Sequence, residues 1–316
     1  MQQNRTEAAP SAVVIGEALI DLIEDSDTGL LTPVPGGSPL NVAVAVARLG
    51  SGVEFVTSFG RDGFADRIQS FLRENGVGTT GSVTHDVHTS FALTTFEGPD
   101  PSYAFYGHPH SYGLFAPSDL EGDLVANASV IHSGSIGLLE PSMYEAALNA
   151  FQRTPALKTL DPNVRESLID DMAAYREKMD SLFRLVDVVK MSIEDAQVLY
   201  DKTVDGILSH VANFGASVVV ITDGPRGARA LIEGTHTVIP GRTVDAIDTT
   251  GAGDAFMGAV IAEIVSGGRP SSPEGWSDIL SFASDVSACA CCSVGGATAM
   301  PTREEMAARF SPPTLR

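Results

Sequence analysis

Six short apolar runs, spaced by stretches of helical character, constrain this chain more than any other feature. They are Ala12–Ile23, Val53–Gly60, Ala128–Gly137, Leu157–Asn163, Val186–Ser192 and Ala216–Gly224, and most close in a polar or glycine-rich turn. Strands buried on both faces read as continuous apolar segments rather than as alternating ones. The intervening stretches Leu40–Leu49, Ala65–Asn75, Ser142–Phe151, Asp170–Phe183 and Ile193–Tyr200 carry helix patterning, with Gly50 and Gly76 as stop signals. A βαβ rhythm of this kind predicts an α/β fold: a mainly parallel central sheet with helices on both faces. Ligands in such sheets lie at the carboxyl ends of the strands. The chemically unusual residues gather there: Asp21, Asp161, Asn163, Lys190, Ser192, Glu194 and Thr222–Gly227.

From Ser82 to about Phe115 the texture changes. Alternating, aromatic-bearing pieces such as SFALTTFE and SYAFYGH predict antiparallel strands with one exposed face, an inserted lid. Phe105, Tyr106 and His108 then either cover a ligand or form the lid's own core or a pairing seam, with the structural role favoured. The leader MQQNRTEAAPSA lacks the apolar segment of a secretory signal and is expected to be a loose tail, as is the closing SPPTLR.

With 20 basic and 40 acidic residues the net charge is −20, a field that repels nucleic acid and anionic membranes. No apolar run approaches membrane-spanning length; Arg48 and Glu263 interrupt the best candidates. Cys289, Cys291 and Cys292 match no zinc spacing and are expected as reduced thiols, which points to a cytoplasmic protein. The seven histidines form no paired metal motif, so a catalytic zinc is not expected.

The chemistry concentrates in Asp248-Thr249-Thr250-Gly251-Ala252-Gly253-Asp254, which opens the helical run AFMGAVIAEIV. A helix start offers unpaired N–H donors and the positive end of the macrodipole, a ready anion site. Gly251 and Gly253 allow close backbone approach. Asp248, Thr249 and Thr250 already supply candidate caps, so Asp254 is read as an acid beside an anion hole: a base taking a proton from a nucleophile. That combination suggests phosphoryl transfer to a hydroxyl. No P-loop, dinucleotide fingerprint or protein-kinase signature accompanies it.

A second glycine run, Gly36-Gly37-Ser38-Pro39-Leu40-Asn41, precedes the first buried helix. Taken with DTTGAGDAFMGAVI, and with GRDGF, DPNVRE, KMSIEDA, ITDGPRGA and GGATAMP between and after, it resembles the PfkB (ribokinase-like) family of sugar and nucleoside kinases over nearly the whole chain. The resemblance implies one ribokinase-like domain over residues 12–312 behind a tail of residues 1–11. It also implies a β-sheet lid formed largely by about 82–115, with segments near 17–36. It implies Asp254 as catalytic base, and the backbone of Gly251, Ala252 and Gly253 through Asp254 as the anion hole for the γ-phosphoryl. Asp21, Gly36, Gly37 and Asn41 fall at sugar-binding positions. Lys190, Ser192 and Glu194 match the element near the ATP phosphates and Mg²⁺; Thr222, Gly224 and Gly227 match the nucleotide loop. Asp248 and Thr250, with the loop near Gly295, sit where the family binds a monovalent cation, giving K⁺ as an expected activator. A homodimer through the lid is a further family habit.

Two departures matter. Ser192 stands where many members carry Asn, and Asp223 occupies a spot usually apolar, where an acid is unfavourable unless it faces solvent. The GGSPLN loop lacks the lysine of ribokinases and is closest in style to fructokinases, favouring a neutral hexose acceptor, most of all fructose. Arg165 in DPNVRE keeps 2-keto-3-deoxygluconate kinase open, since its fork suits a carboxylate. Ribokinase or nucleoside kinase, and a catalytically silent sugar-binding relative, stand behind these.

Overall fold

The computed structural model describes residues 11–25, 28–97 and 100–310; most of the expected leader and the closing SPPTLR lie outside the described residues. The first half of the chain carries β1 (Ser11–Ile15), β2 (Leu19–Glu24), β3 (Leu31–Gly36), α1 (Ser38–Arg48), β4 (Gly52–Val56), β5 (Ser58–Phe59), α2 (Gly63–Glu74), β6 (Val83–Thr84), β7 (Phe91–Glu97), β8 (Asp100–Tyr106) and α3 (Gly122–Asn127). Then come β9 (Val130–Gly134), α4 (Pro141–Arg153), β10 (Leu157–Asp161), α5 (Met172–Phe183), β11 (Val188–Ser192), α6 (Ile193–Leu199), α7 (Val204–Ala212), β12 (Val218–Thr222), β13 (Gly227–Ile232) and β14 (Thr235–Pro240). Three helices close the chain: α8 (Ala252–Gly267), α9 (Pro273–Ala290) and α10 (Arg303–Phe310).

Among the described residues the central sheet has eight strands in the order β14-β13-β12-β11-β10-β9-β1-β4. The six from β12 to β4 are parallel, and the β13–β14 hairpin extends them antiparallel. Successive strand residues enter opposite cores. Val14, Val188 and Val218 pack with α1, α8 and α9, whereas Val13, Val189 and Val219 pack with α4, α5 and α7. Burial on both faces is why these strands read as unbroken apolar runs. The chain moves from β1 out to β4 on one side and to β9 on the other, so the strand order reverses beside β1. Such a switch point opens a crevice at the carboxyl ends of the strands.

Two expected strands are broken. Ala12–Ile23 is two strands in different sheets, divided at Gly16-Glu17-Ala18, where a Cβ on Gly16 would overlap the Pro39 ring. Val53–Gly60 breaks at Thr57 into β4 and β5, the latter pairing with β6 in its own short sheet. The small sheet, order β3-β2-β7-β8, therefore takes half its strands from residues 19–36. From the 82–115 stretch it takes only β7 and β8. It is mixed rather than purely antiparallel, because β2 and β7 run parallel.

Helix α1 starts at Ser38, earlier than its apolar run suggests, with Pro39 in the first turn where a missing N–H costs nothing. Helix α8 is buried nearly all round, between α1 and α9. At Gly258 a Cβ would overlap that of Ala45, so a residue without one lets the two helices close together. Their N-termini consequently emerge side by side at the crevice.

Candidate active site

Gly251 is the N-cap of α8, in the left-handed region at φ 76°, and no side chain caps the helix. The expected caps are engaged otherwise. Asp248 accepts from the Thr250 amide (2.9 Å) and, with its other oxygen, from the Gly295 amide (2.8 Å), which ties the turn to the loop after α9. The Ile247 and Asp248 amides donate to the Cys291 carbonyl. The first turn of α8 is thus braced from behind while its amides carry no side-chain acceptor, an arrangement suited to an anion.

Asp254 lies in that turn, 6% exposed. Its Oδ1 accepts from Ser38 Oγ at 2.6 Å and its Oδ2 from Asn41 Nδ2 at 2.7 Å, both donors coming from the first turns of α1. Burial pushes the Asp254 carboxyl above the usual carboxylate range; the Ser38 and Asn41 hydrogen bonds, then Lys190 and Arg165, pull against it. A buried carboxylate held by two donors at a helix N-terminus is an oriented proton acceptor.

Lys190, in the middle of β11, is buried and donates to Asp161 Oδ2 at 2.7 Å. Burial would lower the affinity of Lys190 for its proton, but the facing carboxylate outweighs that and holds the ammonium charged. The pair underlies the α8 turn so closely that a Cβ on Gly253 would come within 2.5 Å of Lys190 Nζ. Beneath it, His132 Nδ1 and Thr159 Oγ1 are 2.9 Å apart, and burial with the nearby Lys190 drives the imidazole down to about 3, so it is neutral.

On the small-sheet side, Asp21 sits against Gly36, where any side chain would collide with its carboxylate. Burial raises Asp21 to about 6; Arg165 opposes the rise and Asp254 adds to it. Arg165 is exposed and hydrogen-bonds Asn163 Oδ1 (2.7 Å), while remaining within electrostatic reach of both acids. Gly37, φ 111°, abuts the Glu17 carbonyl, and Asn163 also takes a positive φ of 41°. Asp21, Gly36, Gly37, Asn41, Asp254 and Arg165 are therefore brought together around one crevice.

The nucleotide-side candidates line the next strand ends. Ser192 is the N-cap of α6, reciprocally bonded with Asp195, so its hydroxyl caps a helix. Glu194 is exposed on the first turn of that helix. Thr222 Oγ1 donates to the Met191 carbonyl across β11–β12, and Gly224 (φ 50°) and Gly227 (φ 91°) shape the turn into β13. Asp223 is neutralised within that turn, since Arg226 Nε donates to its Oδ2 at 2.7 Å. This is how the loop tolerates an acid.

Sequence reasoning missed three site residues. Ser38 was read for its lack of charge, not as a donor to Asp254; its contact spans 216 positions. Asp195 braces the DPN turn by accepting from the Val164 amide (2.7 Å), and only its place three residues after a cap residue signalled it. Glu17, an acid inside an apolar run, is fully buried. In the small sheet, Phe105 packs on the cluster of Leu19, Ala92, Tyr112 and Ile136, while Tyr106 stacks on Phe91 at 4.9 Å and stays half-exposed.

Residues 9–303 match the model of the pfkB family carbohydrate kinases. The chain is 32% identical over 309 residues to the probable fructokinase-5 of Arabidopsis thaliana, covering 93% of this chain and 95% of that protein. Its fold superposes on a fructokinase with bound ATP from Xylella fastidiosa with TM-score 0.89 at 27% identity, covering 94% and 97% of the two chains. It likewise superposes on a fructokinase double mutant from Vibrio cholerae O395 in fructose, ADP and potassium ion bound form, with TM-score 0.88 at 26% identity and coverage of 96% and 99%. A family match across nearly the whole described chain, with a doubly flanked parallel sheet and a separate small sheet, establishes that this protein belongs to the pfkB family and is an ATP-dependent carbohydrate kinase.

Proposed function

We propose that this kinase transfers the γ-phosphoryl group of ATP to a hydroxyl of a neutral hexose, fructose, with Asp254 as general base. The observation that carries the reading is the Asp254 carboxylate: buried, held by Ser38 and Asn41, and set in the uncapped first turn of α8. In the step, the sugar oxygen bonds to the γ-phosphorus as the bridging P–O bond to ADP breaks, and the sugar proton passes to Asp254. Such transfer depends on positioning and charge neutralisation, with little covalent protein chemistry. The amides from Gly251 to Asp254 would hold the transferring oxygens, with the charge of Lys190 directly beneath Gly253. Mg²⁺ supplies neutralisation of phosphate charge, and Glu194 and Ser192 fit a water-mediated contact to it. Asp248 and Thr250 fit a K⁺ site that would stiffen the same turn.

Asp21, Gly36, Gly37 and Asn41 would orient the sugar, with the small sheet closing over it to exclude water. Exposed Leu30, Leu31 and Tyr106 on that sheet support its use as a pairing surface between two copies. Among the described residues no helix is long and apolar enough to cross a membrane, and the three cysteines are free, in keeping with a cytoplasmic enzyme.

The test is ADP release with Mg²⁺·ATP and K⁺ across fructose, ribose, 2-keto-3-deoxygluconate, fructose 6-phosphate and adenosine. Turnover on fructose above the others supports the reading. Preference for 2-keto-3-deoxygluconate would assign Arg165 to the acceptor's carboxylate and overturn the choice of sugar. Thermal stabilisation by a sugar without ADP release would indicate a silent relative.

A further inference from the structure

Glu17 is an acid for which phosphoryl transfer, as described, has no use. It lies in the break between β1 and β2, where the chain leaves the central sheet for the small one, and none of it is exposed. Its Oε1 accepts from the Ser38 amide (3.2 Å) and its Oε2 from the Gly137 amide (2.9 Å); the Ser135 hydroxyl is a further donor. These partners are neutral, and burial still pushes the carboxyl up to about 7. Burying an ionisable group with no opposite charge beside it costs free energy that hydrogen bonds from neutral donors only partly offset.

Three segments converge on this side chain. Gly37, just before α1, can approach only because it has no Cβ to strike the Glu17 carbonyl. Ser135 and Gly137 follow β9, Ser135 at a positive φ of 60° and Gly137 with room for nothing larger beside Glu17 Oε2. The third segment is the Gly16–Ala18 break itself. The N-cap of α1, Gly37, offers no side chain, so the Glu17 carboxylate caps that helix from another segment, where its dipole favours an acceptor. The residue it caps is Ser38, whose hydroxyl holds Asp254 Oδ1.

We infer that Glu17 is a positioning residue for phosphoryl transfer: by fixing the Ser38 amide at the root of the small sheet, it sets the Ser38 hydroxyl on Asp254. This inference rests on Asp254 as the base. A glutamine at position 17 would turn an N–H₂ toward one of the two amide donors, leaving that donor without an acceptor and loosening the start of α1.

The test is a double-mutant cycle on the full chain, reading kcat and KM for ATP and sugar in Glu17→Gln, Ser38→Ala and the double variant. Glu17→Gln is expected to lower kcat about tenfold with KM for ATP unchanged, and to lower it less than about threefold where Ser38 is already alanine. Equal loss in both backgrounds, or no loss from Glu17→Gln, overturns the inference. Should Glu17→Gln not fold, Gly137→Ala replaces it, since that Cβ would stand 2.9 Å from Glu17 Oε2 and displace the carboxylate without φ strain; the same coupling is expected. Asp254→Asn in the same assay separates the two ideas. A near-normal rate there overturns the base itself, whereas its loss alongside uncoupled Glu17 and Ser38 effects overturns only the link between them.

Discussion

Removing the Ser38 hydroxyl should move the acid limb of the pH–rate profile, and the structure sets both sign and size. Burial raises the Asp254 carboxyl, and the 2.6 Å hydrogen bond from Ser38 Oγ is the largest influence pulling it back. A hydrogen bond to a charged group contributes about 1.5–3 kcal/mol, and one pKa unit corresponds to about 1.4 kcal/mol. Ser38→Ala should therefore raise the Asp254 pKa, because the ionised form loses that contribution, with water entering the vacated space favouring the lower figure. A base works only when ionised, so kcat/KM falls as pH drops through its pKa; the raised value moves that fall to higher pH. The assay is kcat/KM for fructose from about pH 5 to 9, because this ratio reports groups of the free enzyme. Asp21, raised to about 6, titrates in the same window, but burial, Arg165 and Asp254 set its value, not Ser38. An acid limb that stays put, or moves to lower pH, would refute the assignment of Ser38 as the donor that keeps Asp254 ionised.

Other perturbations test separate parts of the structure. Asp254→Asn should cut kcat by at least about a hundredfold with little change in sugar affinity by isothermal titration; a rate within a few-fold of wild type would place the base elsewhere. Asp248→Asn should abolish any K⁺ stimulation measured against tetramethylammonium, and a wild type equally active in both salts would remove the cation proposal. Gly258→Ala forces a methyl group onto Ala45 at the α1–α8 contact and should cost about 1–3 kcal/mol in urea unfolding; an unchanged midpoint would show that the helices part freely. Burial pushes the Glu17 carboxyl up to about 7 in the folded chain, from an ordinary 4.5. The folded state then holds the proton more tightly, so this contribution is whole below pH 4.5 and lost as pH rises through about 7. Relative to Glu17→Gln, wild type should lose up to about 3 kcal/mol of stability across that window, and a pH-independent difference would mean the acid is already solvated.

Much of this was legible in the sequence because parallel strands and buried helices leave one-dimensional marks. The runs Leu157–Asn163, Val186–Ser192 and Ala216–Gly224 hold strands that end at Asp161, Ser192 and Thr222, since a segment buried on both faces has no other composition available to it. The α8 turn announced itself through Gly251 and Gly253, whose lack of Cβ answers the φ of 76° and the nearby Lys190. The break at Gly16–Ala18 was hidden because Glu17 is buried and its neighbours are apolar, so the hydropathy of one strand and of two is alike. Ser38 and Asp254 are 216 positions apart, and no local period records a contact of that range. The share of residues 19–36 in the small sheet, expected only as an addition to 82–115, was understated for a related reason: β2 and β3 precede α1 while their partner β7 follows α2, and only the folded register joins them.

The charge inventory of the crevice bears on which acceptor it admits. Glu17, Asp21, Asp161 and Asp254 all lie at one pole of a chain of net charge −20. The two cations that act on Asp254 are Lys190 and Arg165. Lys190 is committed to Asp161 beneath the helix turn, and Arg165 is exposed and bonded to Asn163. The negative charge of a nucleotide's phosphates must therefore fall mainly on oriented amides and on counter-ions that arrive with it, which suits the uncapped turn of α8. A second anion on the acceptor side would meet Asp21 beside Gly36, where Arg165 is the cation that acts among the described residues. Like charges in a water-excluded crevice cost several kcal/mol. A neutral polyol instead offers donors to Asp21, to Asp254 and to the unpartnered Asn41 Oδ1. Swapping Arg165 for a neutral residue should accordingly leave turnover of fructose within a few-fold of wild type, and only an enzyme built for an acidic sugar would lose its acceptor with it.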